Sequence, residues 1–158
     1  MGFWKPNTKQ LAVCAIFGGA SFALRALNIV IPIGWPFVID ARDIPGVIGA
    51  ALSGPAGGLI IGILAGIPAK FPVVDIPCFA STYFLVGLLA HRLKWLSGFC
   101  VLVGYPLASV IVWQLGFFPS VYTAFLAIAP RMIVVPIQVM LLFAIFKRWP
   151  NVVEVIQR

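Results

Sequence analysis

Apolar residues run through this chain in continuous blocks, as in GLIIGILAGIPA (58–69) and VMLLFAIF (139–146). Almost no polar residue is interleaved, and that pattern leaves few folds open. Of the 158 residues, 62% are hydrophobic and 9% charged, where a soluble domain carries about 25% charged residues. The chain has too little polar surface to cover itself in water, so its solvent is lipid. Lipid offers backbone groups no partner, which restricts a spanning chain to helices or a closed barrel. A barrel strand would alternate apolar and polar residues, and these blocks do not. The expectation is an all-α integral membrane protein with one transmembrane domain over residues 1–158. The formal charge of +7 then sets orientation. Without an aromatic-interleaved basic patch, it does not point to nucleic acid.

Within this setting one stretch stands out, GVIGAALSGPAGGLIIGILAG (46–66). Small residues recur there at Gly46, Ala50, Gly54, Gly58, Gly62 and Gly66, with Pro55 in the middle. In water each interior glycine costs a helix about 1 kcal/mol. In a bilayer, helices gain nothing by hiding apolar surface from apolar tails. They associate by close backbone approach, which small residues at i, i+4 permit. The glycines therefore read as a packing groove, with two short helices meeting at Gly54-Pro55.

Six spans are expected, at about residues 10–27, 44–53, 55–69, 76–93, 96–115 and 121–146. Ser120 is placed to cap the last, and Pro130 and Pro136 should kink it. The count falls to five if 44–53 does not cross, because ten residues reach only about 15 Å. With six spans, Lys5, Lys9, Arg92, Lys94, Lys147, Arg148 and Arg158 share one side, and only Arg42 and Lys70 lie on the other. By the positive-inside rule both termini of this multi-pass protein are cytoplasmic. Asp40, Asp43 and Asp75 then fall on the external side. Arg25 follows the first apolar run and no small-x-small site precedes it, so that run reads as a retained helix rather than a cleaved signal.

Two arginines, Arg25 and Arg131, lie within apolar spans near their outer ends, where an ionisable group is costly and normally paired or facing water. Asn28, Trp35, Asp40, Arg42, Asp43, Lys70, Asp75, Gln114 and Tyr122 share that half. These groups converge on an external pocket. Two roles are open to the arginines: a fork for a ligand carboxylate or phosphate, or internal pairing, as of Arg25 with Asp40 or Asp43. Catalysis has little to stand on. The single histidine, His91, sits in the basic cluster HRLK, and Cys14, Cys78 and Cys100 lack metal spacing and read as packing. There is no Ser/His/Asp set, phosphate loop or HExxH. An aspartyl pair of Asp43 and Asp75 lacks the context motifs of intramembrane proteases. No catalytic residue, metal or cofactor is expected. On the first helix, Ala15, Gly19 and Ala23 line one face that could accept a partner helix.

The stretch DARDIPGVIGAALSGPAGGLIIGILAGIPAKFPVVDIPCFASTYFLVGLLAHRLK (40–94) resembles the membrane core of the substrate-binding S-components of energy-coupling-factor (ECF) vitamin transporters, and also LytS-type five-transmembrane sensor domains. The shared features are an acidic loop entering a glycine-rich segment, a short loop, and an aromatic-containing helix ending in a basic cluster. The likeness covers about residues 10–95, and the rest by span count. The S-component resemblance implies six helices and an external substrate pocket capped by the loop 28–43. It also implies docking of a small-residue face of the first helix onto a transmembrane coupling protein, powered by two ATPase subunits. The family pattern is Ala-x-x-x-Ala; here it is Ala15-x-x-x-Gly19-x-x-x-Ala23. Metal-transporting S-components carry an N-terminal histidine motif that MGFWKPNTKQ lacks. Arg25, Arg131 and Lys70 favour an anionic group, and Trp35, Trp113 and Tyr122 are candidates to stack on a ring. The expected ligand is therefore a small, vitamin-like, anionic or aromatic molecule. The alternative is a stand-alone LytS-type sensor signalling through a partner chain, since KRWPNVVEVIQR (147–158) is too short to be an effector.

Overall fold

The computed structural model describes residues 6–34 and 37–157, with backbone alone at 31–34 and 37–39. Helices α1 (Thr8–Val13) and α2 (Gly19–Ala26) form one run through a π turn, Cys14–Gly18. A β-hairpin follows, β1 (Val30–Gly34) antiparallel to β2 (Phe37–Asp40). Then come α3 (Asp43–Gly66), α4 (Pro72–Leu93), a 3₁₀ stretch Lys94–Val103, and α5 (Gly104–Gln114). The chain ends with α6 (Val121–Ile128), a 3₁₀ turn Ala129–Ile133, α7 (Val134–Arg148) and α8 (Pro150–Gln157).

The fold is helical apart from the hairpin, and three helical runs are long and apolar enough to cross a membrane: Asp43–Gly66, Pro72–Gln114 and Val121–Arg148. The expected six separate spans are not what the chain forms. Its described helices make five runs, the other two being Thr8–Ala26 and Pro150–Gln157. Two of the expected boundaries are sharp breaks inside a run rather than loops. Gly54 (φ 77°, ψ −173°) interrupts α3, and Lys94 (φ 52°, ψ −125°) separates α4 from the 3₁₀ stretch.

At both breaks the chain doubles back. A side chain at Gly49 would meet Ile61 Cδ1 at 2.9 Å, although twelve residues of straight helix would hold these positions about 18 Å apart. Likewise Gly104 lies against Thr82 across the Lys94 break. Glycine suits the first break because only it takes positive φ without a Cβ penalty. The following Pro55 has no N–H for the Ala51 carbonyl four residues back. Gln157 Nε2 donates to that carbonyl from α8, at 3.1 Å. The α8 carbonyls are capped in turn by the start of the first run, Asn7 Nδ2 to Ile156 O at 3.3 Å and Lys9 Nζ to Val155 O at 3.1 Å. A lysine there also complements the negative end of the α8 dipole.

The glycine groove packs α3 on α4. Gly58 abuts the Tyr83 backbone, Gly62 the Ala80 backbone and Gly66 Ile76, an antiparallel register in steps of four along α3 and three or four along α4. Gly46 lies on the Tyr83 ring, which is 1% exposed at the centre of the core with Val47, Ile61, Val86 and Leu142. Ser120 caps α6 as expected, accepting from Thr123 N at 3.2 Å. Pro130 and Pro136 remove the N–H partners of Leu126 and Met132, and the backbone between them tightens into the 3₁₀ turn.

A side chain at Gly62 would run into Ala80 backbone, whereas at Gly19 it meets nothing within 4 Å. Gly62→Val is therefore expected to destabilise by about 1–3 kcal/mol, as overpacking does, and Gly19→Val to leave the melting temperature in detergent unchanged.

Candidate functional site

Chain breaks position the charged residues. Asp40 ends β2, Arg42 precedes α3 and Asp43 opens it, while Asp75 lies in the first turn of α4. Aspartates at helix N-termini and an arginine in the last turn of α2, Arg25, each complement the helix dipole. The pieces meet at Arg42, which is 3% exposed. Its Nη2 donates to Asp75 Oδ2 at 2.6 Å and its Nη1 to the Ala65 carbonyl at 2.6 Å. Nε stands 2.9 Å from Asp40 Oδ2, close enough for an ion pair but off the hydrogen-bonding direction. The guanidinium lies over the Phe79 ring, 4.3 Å from its centroid. The backbone is tied as well: Arg42 N–H donates to Asp40 Oδ1 at 3.2 Å, and Ser21 Oγ donates to Arg42 O at 3.1 Å. Arg25 closes the chain of charges, 3.4 Å from Asp40 Oδ2.

This cluster forms one wall of a cavity of about 430 Å³. Asp40, Arg42, Asp43, Asp75 and Arg131 supply its charged lining, and Phe71, Phe79, Tyr105, Phe117 and Phe118 its aromatic one. Phe71 and Phe117 touch each other, centroids 5.1 Å apart, joining the start of α4 to the loop after α5. Arg131 rides on the 3₁₀ turn between α6 and α7, whose position is fixed by Tyr105 Oη donating to Arg131 O at 3.0 Å. Beneath Asp43, Gln138 Nε2 reaches its carbonyl at 3.4 Å. Asp43 Oδ1, Gln138 Oε1 and Tyr83 Oη are buried without a hydrogen-bond partner among the described residues.

Five of the ten expected binding residues line this cavity: Asp40, Arg42, Asp43, Asp75 and Arg131. Four others stand apart from its lining. Arg25 is held behind it by Asp40, which resolves its two open roles toward internal pairing. Asn28 is an exposed turn residue with positive φ, at 52°. Lys70 is exposed beside the Phe71 ring, and Tyr122 is 70% exposed. The tenth, Trp35, lies outside the described residues. Trp113 and Gln114 are also exposed and do not line the cavity. The aromatic lining comes from Phe71, Phe79, Tyr105, Phe117 and Phe118, where Trp113 and Tyr122 were expected. Gln138 and Tyr105 did carry a signal, as polar side chains inside apolar spans. Ala15, Gly19 and Ala23 lie exposed along the first run. No protein-family model, curated protein or solved structure matches the chain.

Removing Arg42 would leave the partly buried Asp75 without its cation and Asp40 with Arg25 alone, and would take the donor from the Ala65 carbonyl; breaking a buried pair costs about 3–5 kcal/mol. Arg131 pairs with no carboxylate among the described residues. Arg42→Met is expected to lower thermal stability by that amount, and Arg131→Met to change it by less than about 1 kcal/mol.

Proposed function

We propose that this chain is the substrate-binding membrane component of an ECF-type transporter, capturing a small vitamin-like molecule with an anionic or aromatic part from the external side. One observation carries the reading: a cavity of about 430 Å³ with one charged wall and aromatic sides, inside a chain built to sit in lipid. Small-molecule sites are typically pockets of about 300–1,000 Å³, mostly apolar, with a few placed polar groups. The charged and aromatic groups of the lining suit the holding of a small molecule.

In the proposed arrangement the chain crosses the membrane six times, with the breaks at Gly54 and Lys94 as two of its turns. Both termini are cytoplasmic in a prokaryotic plasma membrane. The cavity, the hairpin and the Arg42 cluster then lie toward the external side, and the hairpin caps the site. Support for a capping role comes from the packing of β2 against the 3₁₀ turn that carries Arg131. The exposed small-residue face Ala15, Gly19, Ala23 is the proposed docking surface for a transmembrane coupling protein driven by two ATPase subunits. Small residues there allow the close helix approach that association in lipid needs.

Native mass spectrometry of the protein extracted from its source membrane tests this reading. A one-to-one small-molecule adduct is expected. Ala108→Trp, which fills the cavity from α5, should abolish it while the protein still folds. Lipid adducts alone, unaffected by Ala108→Trp, would count against a binding component. Co-purification of a histidine kinase in place of an ATPase and coupling protein would favour the sensor alternative.

A further inference from the structure

The six charges at this site divide into two groups with different work. Arg25, Asp40, Arg42 and Asp75 form a continuous alternating chain, in which each charge touches one of opposite sign. That chain is neutral, two against two. Arg42, its centre, is further covered by the Ala65 carbonyl and the Phe79 ring. A ligand anion approaching Arg42 would have to displace a carboxylate already held there at 2.6 Å.

Asp43 and Arg131 remain. Both line the cavity, and neither forms an ion pair among the described residues, with each other or with another group. Asp43 Oδ1 is cut off from solvent and has no hydrogen-bond donor among the described residues. A buried carboxylate oxygen without a donor is costly, and native structures normally supply its partner. The described residues supply none, though Gln138 reaches as far as the Asp43 carbonyl. An arginine on the same cavity offers a planar fork suited to carboxylate or phosphate. The lining therefore holds one unpaired negative group and one unpaired positive group. Phe71, Phe79 and Tyr105 line the same space.

We infer that the ligand is a zwitterionic ring compound. Its protonated nitrogen pairs with Asp43, its carboxylate or phosphate with Arg131, and its ring fills the aromatic part. This rests on the reading of the cavity as a small-molecule site, and it narrows an anionic or aromatic ligand to one that also carries a cationic nitrogen.

Two matched trios test it by calorimetry and thermal shift on the full chain in lipid nanodiscs. Tryptamine, indole-3-propionate and tryptophan carry the amine, the carboxylate and both. Tyramine, 4-ethylphenyl phosphate and tyramine O-phosphate do the same for phosphate. In at least one trio the zwitterion is expected to bind about tenfold or more tighter than each singly charged homologue, the scale of one charge-assisted hydrogen bond. The trio that responds identifies the anion. Asp43→Asn should remove the advantage over the anion-only homologue, and Arg131→Gln the advantage over the amine-only one. These are ratios within one variant, so a general loss of stability does not imitate them. If either variant fails to fold, the trios on the unaltered protein still decide. Anion-only homologues binding as tightly as the zwitterions would overturn this inference and leave the small-molecule site standing. Failure of all six compounds to bind or to raise the melting temperature would overturn both.

Discussion

A guanidinium withdrawn from lipid and water survives only where carboxylates and carbonyls meet it, and Arg42 sets that condition for half the fold. Its partners come from β2, from the far end of α3 and from the start of α4. A single side chain thus ties the hairpin to the return leg of the glycine helix and to its packing partner. The α3 contact is available because the run doubles back at Gly54, which returns Ala65 to the level of Arg42. Break, cluster and cavity wall are in this sense one structure: without the fold-back the carbonyl is absent, and without the cluster the wall is open.

The same logic explains the tolerance for residues that would weaken a soluble helix. In lipid the cost of glycine is offset by the backbone contact it allows, and Gly58, Gly62 and Gly66 meet α4 directly. The cost of proline is the carbonyl it orphans. At Pro55 that carbonyl is met by Gln157 from the other end of the sequence. Around Pro130 the backbone tightens instead, and the resulting turn carries Arg131 into the cavity. The breaks that place functional groups are therefore the positions where the helical hydrogen-bond ladder cannot continue.

Much of this was legible in the residues. Continuous apolar blocks give a helical membrane chain, and the i, i+4 glycines give the α3–α4 contact. The crowd of charges at one end gives a polar cluster, with Asp40, Arg42, Asp43, Asp75 and Arg131 in place. Long-range pairing was not legible. A sequence shows that Arg25 and Arg42 are basic residues near three aspartates, but not that Asp40 is shared by both. It does not show that Asp43 is left over, because that depends on which carboxylates Arg42 reaches in space. Helix α8 was missed for a related reason: eight residues have little intrinsic helicity, and this helix is held by Asn7, Lys9 and the Ala51 carbonyl. Six separate helices were expected where the described helices make five runs, because glycine and lysine at positive φ turn the chain inside a run without a polar loop.

The account turns on Arg42 being satisfied internally, which reserves the cavity for Asp43 and Arg131. A double-mutant cycle between Arg42→Met and Asp75→Asn, read as unfolding free energy in a fixed detergent, tests that claim most directly. Residues in one buried ion-pair network couple by up to about 3 kcal/mol, and independent sites add within about 0.5 kcal/mol. The account predicts a coupling of at least about 1.5 kcal/mol, in the upper half of that range. Additivity within about 0.5 kcal/mol would show that Arg42 and Asp75 act independently, and would contradict the central role given to the pair.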